Sequence, residues 1–131
     1  MVCLETDFLI GIIRKNPDAI AKLRELVENG ENLTTTPINA AELFKGAYRS
    51  GKVDENLKMV KGILSRLGLL EFNLTASETY GQITVELESK GEQIGVMDAL
   101  IASIALAHNE KVLTRNHKHF SRVRGLEVET W

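Results

Sequence analysis

With 131 residues, 44% of them apolar and 26% charged, the chain has the length and balance of one globular domain, residues 1–131, which excludes global disorder. A net charge of −2 excludes a generic basic nucleic-acid coat, though not a nuclease whose acids are neutralised by bound cations. The lone cysteine, Cys3, excludes an intrachain disulfide and a thiolate zinc site, and fits a reducing, cytoplasmic setting.

Met1 to Ile13 is apolar, but Glu5 and Asp7 interrupt it. No basic stretch precedes it and no small-residue cleavage site follows, so no secretory signal is expected. No apolar run is long enough to span a bilayer, and no membrane partner is expected. Val2 to Glu5 reads as a short buried strand that ends in acids. Asn16-Pro17-Asp18 opens a helix with proline at its first position, Ile20, Leu23 and Val27 marking one face and Gly30 the stop. Leu33 to Thr36 is short and β-branched, a second strand. Thr36-Pro37 then opens a helix that buries Ala40, Leu43, Phe44 and Ala47. Another helix follows Asp54, with Leu57, Val60, Leu64 and Leu67 along one side, and stops at Gly68.

Leu69 to Leu74 is a third strand candidate. Thr75-Ala76-Ser77-Glu78 has the form of a capping box, ahead of a helix burying Tyr80, Ile83 and Leu87. After Val96-Met97-Asp98, residues Ala99 to Ala107 are small and apolar on nearly every face, which requires a helix buried almost all round. Lys111 to Thr114 reads as a fourth strand and Leu126 to Val128 as a fifth. Short apolar strands alternating with helices define an α/β fold with a mostly parallel sheet, in which ligand sites form beyond the carboxyl ends of the strands.

Candidate chemistry gathers at that end. On an extended segment Glu5 and Asp7, two residues apart, face one cleft. Glu42 lies in the early turns of the helix after the second strand. Asp98 heads the buried helix, where free N–H groups favour an anion, and Asn116 follows the fourth strand. Clustered carboxylates resist ionising together unless a cation neutralises them, and an all-oxygen set suits magnesium or manganese better than zinc. Each acid also has a plainer reading: Asp98 as a helix cap, Glu42 as a solvated helix residue, Asp7 as part of a polar turn. Their combination favours the site. The C-terminal segment is basic, and Arg115, Lys118 and Arg122 are the residues expected to hold RNA phosphates beside it. His117 and His119 are two apart and have no third partner for zinc.

Four pieces in order carry a resemblance: Leu4-Glu5-Thr6-Asp7, Asn39-Ala40-Ala41-Glu42-Leu43, Gly95-Val96-Met97-Asp98-Ala99-Leu100-Ile101-Ala102, and a close running from Leu113-Thr114-Arg115-Asn116 through Phe120-Ser121-Arg122-Val123 to Gly125-Leu126 and Trp131. With them the chain resembles, end to end, a PIN-domain protein of the VapC toxin type. The resemblance implies a PIN-like, Rossmann-like three-layer fold and endoribonuclease activity dependent on Mg2+ or Mn2+. It also implies a cognate antitoxin and a homodimer. The family's metal-site acids fall on Glu5, Glu42 and Asp98, and its fourth acid falls where Asn116 or His119 stands here.

Two departures bear on activity. The first family acid is usually aspartate, and the extra methylene of Glu5 shifts its carboxylate by about a bond length, in a site whose geometry must hold to about 0.5 Å. Asp7 then stands as an alternative ligand. Asn116 offers a carbonyl but no charge, so weaker metal affinity is expected. A degenerate domain that binds RNA or antitoxin without cutting is the alternative reading. An aspartyl-phosphate phosphohydrolase is disfavoured, because the first position lacks the aspartate nucleophile.

Overall fold

A computed structural model describes residues 1–131. Twelve elements follow in order: β1 (Val2–Leu4), α1 (Thr6–Ile13), α2 (Pro17–Glu28), β2 (Leu33–Thr35), α3 (Pro37–Arg49), α4 (Val53–Leu64), β3 (Gly68–Leu69), α5 (Leu74–Ser89), α6 (Val96–Ala107), β4 (Lys111–Leu113), α7 (His117–Phe120) and β5 (Val128–Glu129). The five strands form one sheet in the order β3-β2-β1-β4-β5, and every pairing is parallel. The chain starts in the centre, walks outward to β3, then crosses β1 to build β4 and β5. The order therefore reverses between β1 and β4, and a crevice opens beyond their carboxyl ends.

Strand alternation divides the core into two layers. Val2, Leu4 and Leu113 point to the side covered by α1 to α4, where they meet Phe8, Leu9, Ala19, Leu26, Leu43, Ala47 and Val60. Cys3 and Val112 point to the other side and meet Ile83, Leu87, Ile101, Ala102, Ile104, Ala105 and Phe120 of α5, α6 and α7. A sheet sandwiched this way needs strands apolar on both faces, which explains why Val-Cys-Leu is buried throughout.

The three-layer α/β reading holds, and several local readings are corrected. The segment after β1 is not extended: Thr6 begins α1, with Glu5 at its N-cap and Asp7 in its first turn. The strand placed at Leu69 to Leu74 is only Gly68–Leu69, and Leu74 already belongs to α5. That helix is capped by Asn73, whose Oδ1 accepts from the Ala76 amide at 2.9 Å, so Thr75 is inside the helix and no capping box forms. On α2 the buried positions are Ala19 and Leu26, while Val27 is 60% exposed. His117 and His119 sit in a helical turn, not on a strand.

Candidate active site

Glu5 caps α1 at the carboxyl end of the central strand. Its backbone N–H donates to the Leu113 carbonyl at 3.1 Å, which ties the ends of β1 and β4 together at the crevice. Its side chain is turned inward, leaving the residue 7% exposed. Glu5 Oε2 accepts from the Asp7 amide at 3.4 Å and the Thr114 hydroxyl at 3.3 Å, and Oε1 accepts from Asn39 Nδ2 at 3.4 Å. These are long contacts for a buried charge. Thr114 Oγ1 also lies 3.1 Å from Asp7 Oδ2, and a hydroxyl has one proton to give. One of the two carboxylates therefore lacks that donor at any moment.

Burial, followed by repulsion from Asp7 and with Glu42 adding to it, pushes the Glu5 carboxyl up to about 7. No lysine or arginine forms a salt bridge with Glu5, Asp7, Glu42 or Asp98.

Glu42 reaches the crevice from α3 through a relay. Thr6 Oγ1 donates to Glu42 Oε1 at 2.7 Å and receives from Asn39 Nδ2 at 2.9 Å, and Asn39 Oδ1 accepts from Thr36 Oγ1 at 2.6 Å. Asn39 is completely buried. It shares its helix face with Leu43 and Ala47, four and eight residues on, and this polar residue on an apolar stripe is the sequence signal that identifies it.

Asp98 occupies the first turn of α6, and its Oδ2 lies 3.1 Å from both Asn116 Nδ2 and His119 Nδ1. Asn116 and His119 also meet each other at 3.1 Å. The last link is the backbone of Asn116, whose N–H donates to Thr114 Oγ1 at 2.9 Å. Glu5, Asp7 and Asp98 are thereby joined through one short segment, Thr114 to Asn116.

Asp7 is placed by the first turn of α1, not by an extended strand. Its Oδ2 accepts the Arg115 backbone N–H at 2.7 Å, while Oδ1 is buried with no partner. Among the basic residues expected to meet RNA, Lys118 is exposed, and Arg122 donates to the Gln93 carbonyl at 3.1 Å. Arg115 is already held by Asp18 at 3.1 Å. A groove of about 290 Å³ runs beside the site between α1, α3 and α4, lined by Ile10, Ile13, Arg14, Glu42, Leu43 and Met59 among others.

The residue profile of the PIN domain family matches positions 2–126. The chain belongs to the PIN-domain family. This PIN-domain protein is 36% identical over 128 residues to Ribonuclease VapC2 of Rickettsia felis, covering 98% of this chain and 96% of that protein. It is 34% identical over 128 residues, with the same coverage, to the tRNA(fMet)-specific endonuclease VapC of Salmonella typhimurium. The crystal structure of VapBC2 from R. felis bound to a DNA fragment from its promoter matches with a TM-score of 0.91 at 36% identity, covering 100% of this chain and 99% of that one.

The donors in this PIN-domain chain fit a hard divalent cation by chemistry. They are carboxylate oxygens, one of them orphaned and buried, around a carboxyl whose ionisation is suppressed by burial and by the neighbouring Asp7. They are not gathered into a finished cage, since no three Asp, Glu, His or Cys side chains stand together in coordinating positions. Each rests on neutral donors instead: Thr6, Asn39, Thr114 and Asn116.

Proposed function

We propose that this PIN-domain protein is an endoribonuclease that hydrolyses RNA phosphodiesters with Mg2+ or Mn2+, acting as the toxin of a type II toxin–antitoxin pair. One observation carries the reading: a buried carboxyl at the crevice, crowded by Asp7 and Glu42, with no lysine or arginine paired to any acid of the group. Burying such a group costs stability, which an oxygen-bound dication offsets. The VapC relatives named as ribonucleases support the RNA substrate.

Asp98, Glu42 and Glu5 are the proposed metal ligands, with Asp7 as neighbour or substitute ligand. When bound, the ion lowers the pKa of a water and stabilises charge on the phosphate. The chain's own work is positioning. The Thr6–Asn39–Thr36 relay fixes Glu42 and braces Glu5. Asn116 and His119 orient Asp98, and Asn116 takes the place of a fourth acid without its charge. Lys118 and Arg122 bring positive charge to the RNA backbone from the adjoining segment, while Arg115 must leave Asp18 to do the same.

The proposed partners are RNA, a cognate antitoxin and a second copy of the chain, in the cytoplasm. The R. felis structure, a VapBC assembly, supports the antitoxin, and exposed Leu69, Leu74, Val85 and Val96 supply apolar surface for assembly. No helix is long and apolar enough to cross a membrane. Co-purification from the native host tests the antitoxin: recovery of no small partner protein removes it.

The decisive experiment is cleavage of assorted RNAs with manganese, with and without chelator, comparing wild type with Asp98→Asn. Loss of cleavage in the variant with an unchanged melting temperature supports the site; undiminished cleavage overturns it. The second reading, a binding module that no longer cuts, is favoured by the glutamate at position 5 and by Asn116 in place of a fourth acid. RNA retention without cleavage across magnesium and manganese titrations would establish it.

A further inference from the structure

The segment Thr114 to Asn116 touches three of the site acids, so whatever fixes that segment sets the spacing of the acids. Thr114 reaches Glu5 and Asp7 with its hydroxyl, Arg115 reaches Asp7 with its backbone N–H, and Asn116 reaches Asp98 with its amide. Only the Arg115 side chain leaves this cluster, and it runs to Trp131. Its Cζ lies 3.7 Å from the centre of the indole ring, Nε donates to the Trp131 carbonyl at 3.1 Å, and a terminal nitrogen meets Asp18 at 3.1 Å. A guanidinium stacked on an aromatic face and fixed at two further points has little freedom left.

Trp131 is anchored in turn on α1, the helix capped by Glu5 and carrying Asp7. Its ring meets Phe8 edge-on at 5.3 Å and 69°. Gly11, one turn further along α1, leaves the space the indole occupies: a Cβ there would stand 2.9 Å from Trp131 Cη2. The indole Nε1 is buried with no hydrogen-bond partner, so packing and the Arg115 stack hold the ring, not a polar bond. The contacts close a circuit from α1 through Trp131, Arg115 and Asp7 back to α1.

We infer that Trp131 and Arg115 are positioning residues, a latch between α1 and the 114–116 segment that holds Asp7 and Asp98 at the spacing a divalent ion requires. The inference rests on the metal-site reading above. The latch does not touch the ion; it acts on the site through the Arg115 backbone.

Trp131 is the only tryptophan, so its emission reports the latch without interference. Mg2+ titrated into the full chain is followed by calorimetry and by tryptophan fluorescence, alongside amide exchange of Arg115 and Asn116 in metal-free protein. The wild type is expected to change emission with the calorimetric binding constant. Arg115→Met and Trp131→Ala are expected to weaken Mg2+ binding about tenfold and to speed exchange at both amides by a similar factor. Trp131→Phe, which keeps an aromatic face beneath the guanidinium, is expected to stay close to wild type. Unchanged Mg2+ affinity in both Arg115→Met and Trp131→Ala overturns the latch, as does unchanged exchange. If wild-type protein binds neither Mg2+ nor Mn2+, the metal-site reading has failed on its own. Exchange alone then decides the latch: faster exchange in both variants supports it and wild-type rates overturn it.

Discussion

Two groups of acids sit on this small sheet in opposite electrostatic situations. Beside α2, Glu129 is flanked by Lys22 and by Lys111 at 3.0 Å, and hydrogen bonding from Lys22 holds its carboxyl below the usual range. At the crevice, Glu5 has neighbours of its own sign and neutral donors, and its carboxyl is driven up to about 7. Both groups lie near the junction of β4 with a neighbouring strand, so position in the fold does not separate them. Partners do. The first group is complete as it stands and holds β4, β5 and α2 together, whereas the second has no lysine or arginine paired to it.

That contrast breaks most sharply at Asp98. Asp98→Asn removes a proposed ligand and is expected to lower manganese-dependent RNA cleavage about 100-fold or more with the melting temperature unchanged, read by gel assay and thermal denaturation. Chelator added to wild type is expected to match that loss.

The next effect is on stability and carries a sign. Because the folded carboxyl of Glu5 titrates near 7 and the unfolded one near 4.5, the folded state holds more protons across that interval. Metal-free stability is therefore full below about pH 4.5 and falls as pH rises through about 7. Glu5→Gln is expected to abolish this slope and, at pH 8, to stabilise the metal-free protein by about 2 kcal/mol in urea denaturation. A slope that persists in Glu5→Gln would assign it to another group. Glu5→Asp sharpens the same point from the side of activity: a faster cleavage rate would show that the longer acid limits the site.

Asn39→Ala is expected to cost about 1 to 3 kcal/mol, because the hydroxyls of Thr6 and Thr36 lose their buried partner, and to reduce cleavage through Glu42. The smallest effect belongs to the complete group. Glu129→Gln breaks partly exposed pairs and is expected to cost no more than about 1 kcal/mol, with cleavage unchanged. A large loss of activity there would erase the distinction between the two groups.

The sequence made the layered fold legible because its strongest signals are local. Asn16-Pro17 and Thr36-Pro37 do open α2 and α3 with side-chain caps, and the Ala99 to Ala107 run, apolar but for Ser103, is largely buried. The helix α1 was not legible. Its cap is a glutamate, an unusual capping residue, and its β-branched isoleucines favour a strand; only packing of Phe8, Leu9 and Gly11 into the core makes it helical. The setting of Asp7 was not legible for the same reason: it lies in the first turn of a helix, where its Oδ2 accepts the Arg115 amide, and not on an extended strand. At the candidate site, Glu5, Glu42 and Asp98 are singled out by their places after strands and at helix starts and by the family resemblance, and the fold sets them at one end of the sheet. Of the neutral donors between them Asn39 carries a signal, a polar residue on the apolar stripe of α3, whereas the partners of Thr6 and Thr114 emerge only once α1, α3 and the end of β4 have converged.

The pairing of Val2 with Lys111 has a temporal consequence. The first strand leaves the ribosome more than a hundred residues before its central neighbour, so the crevice has no second wall until that neighbour has been made. Translation itself thus postpones assembly: a nascent or truncated chain carries Glu5 and Glu42 but has no place to bring them to Asn116.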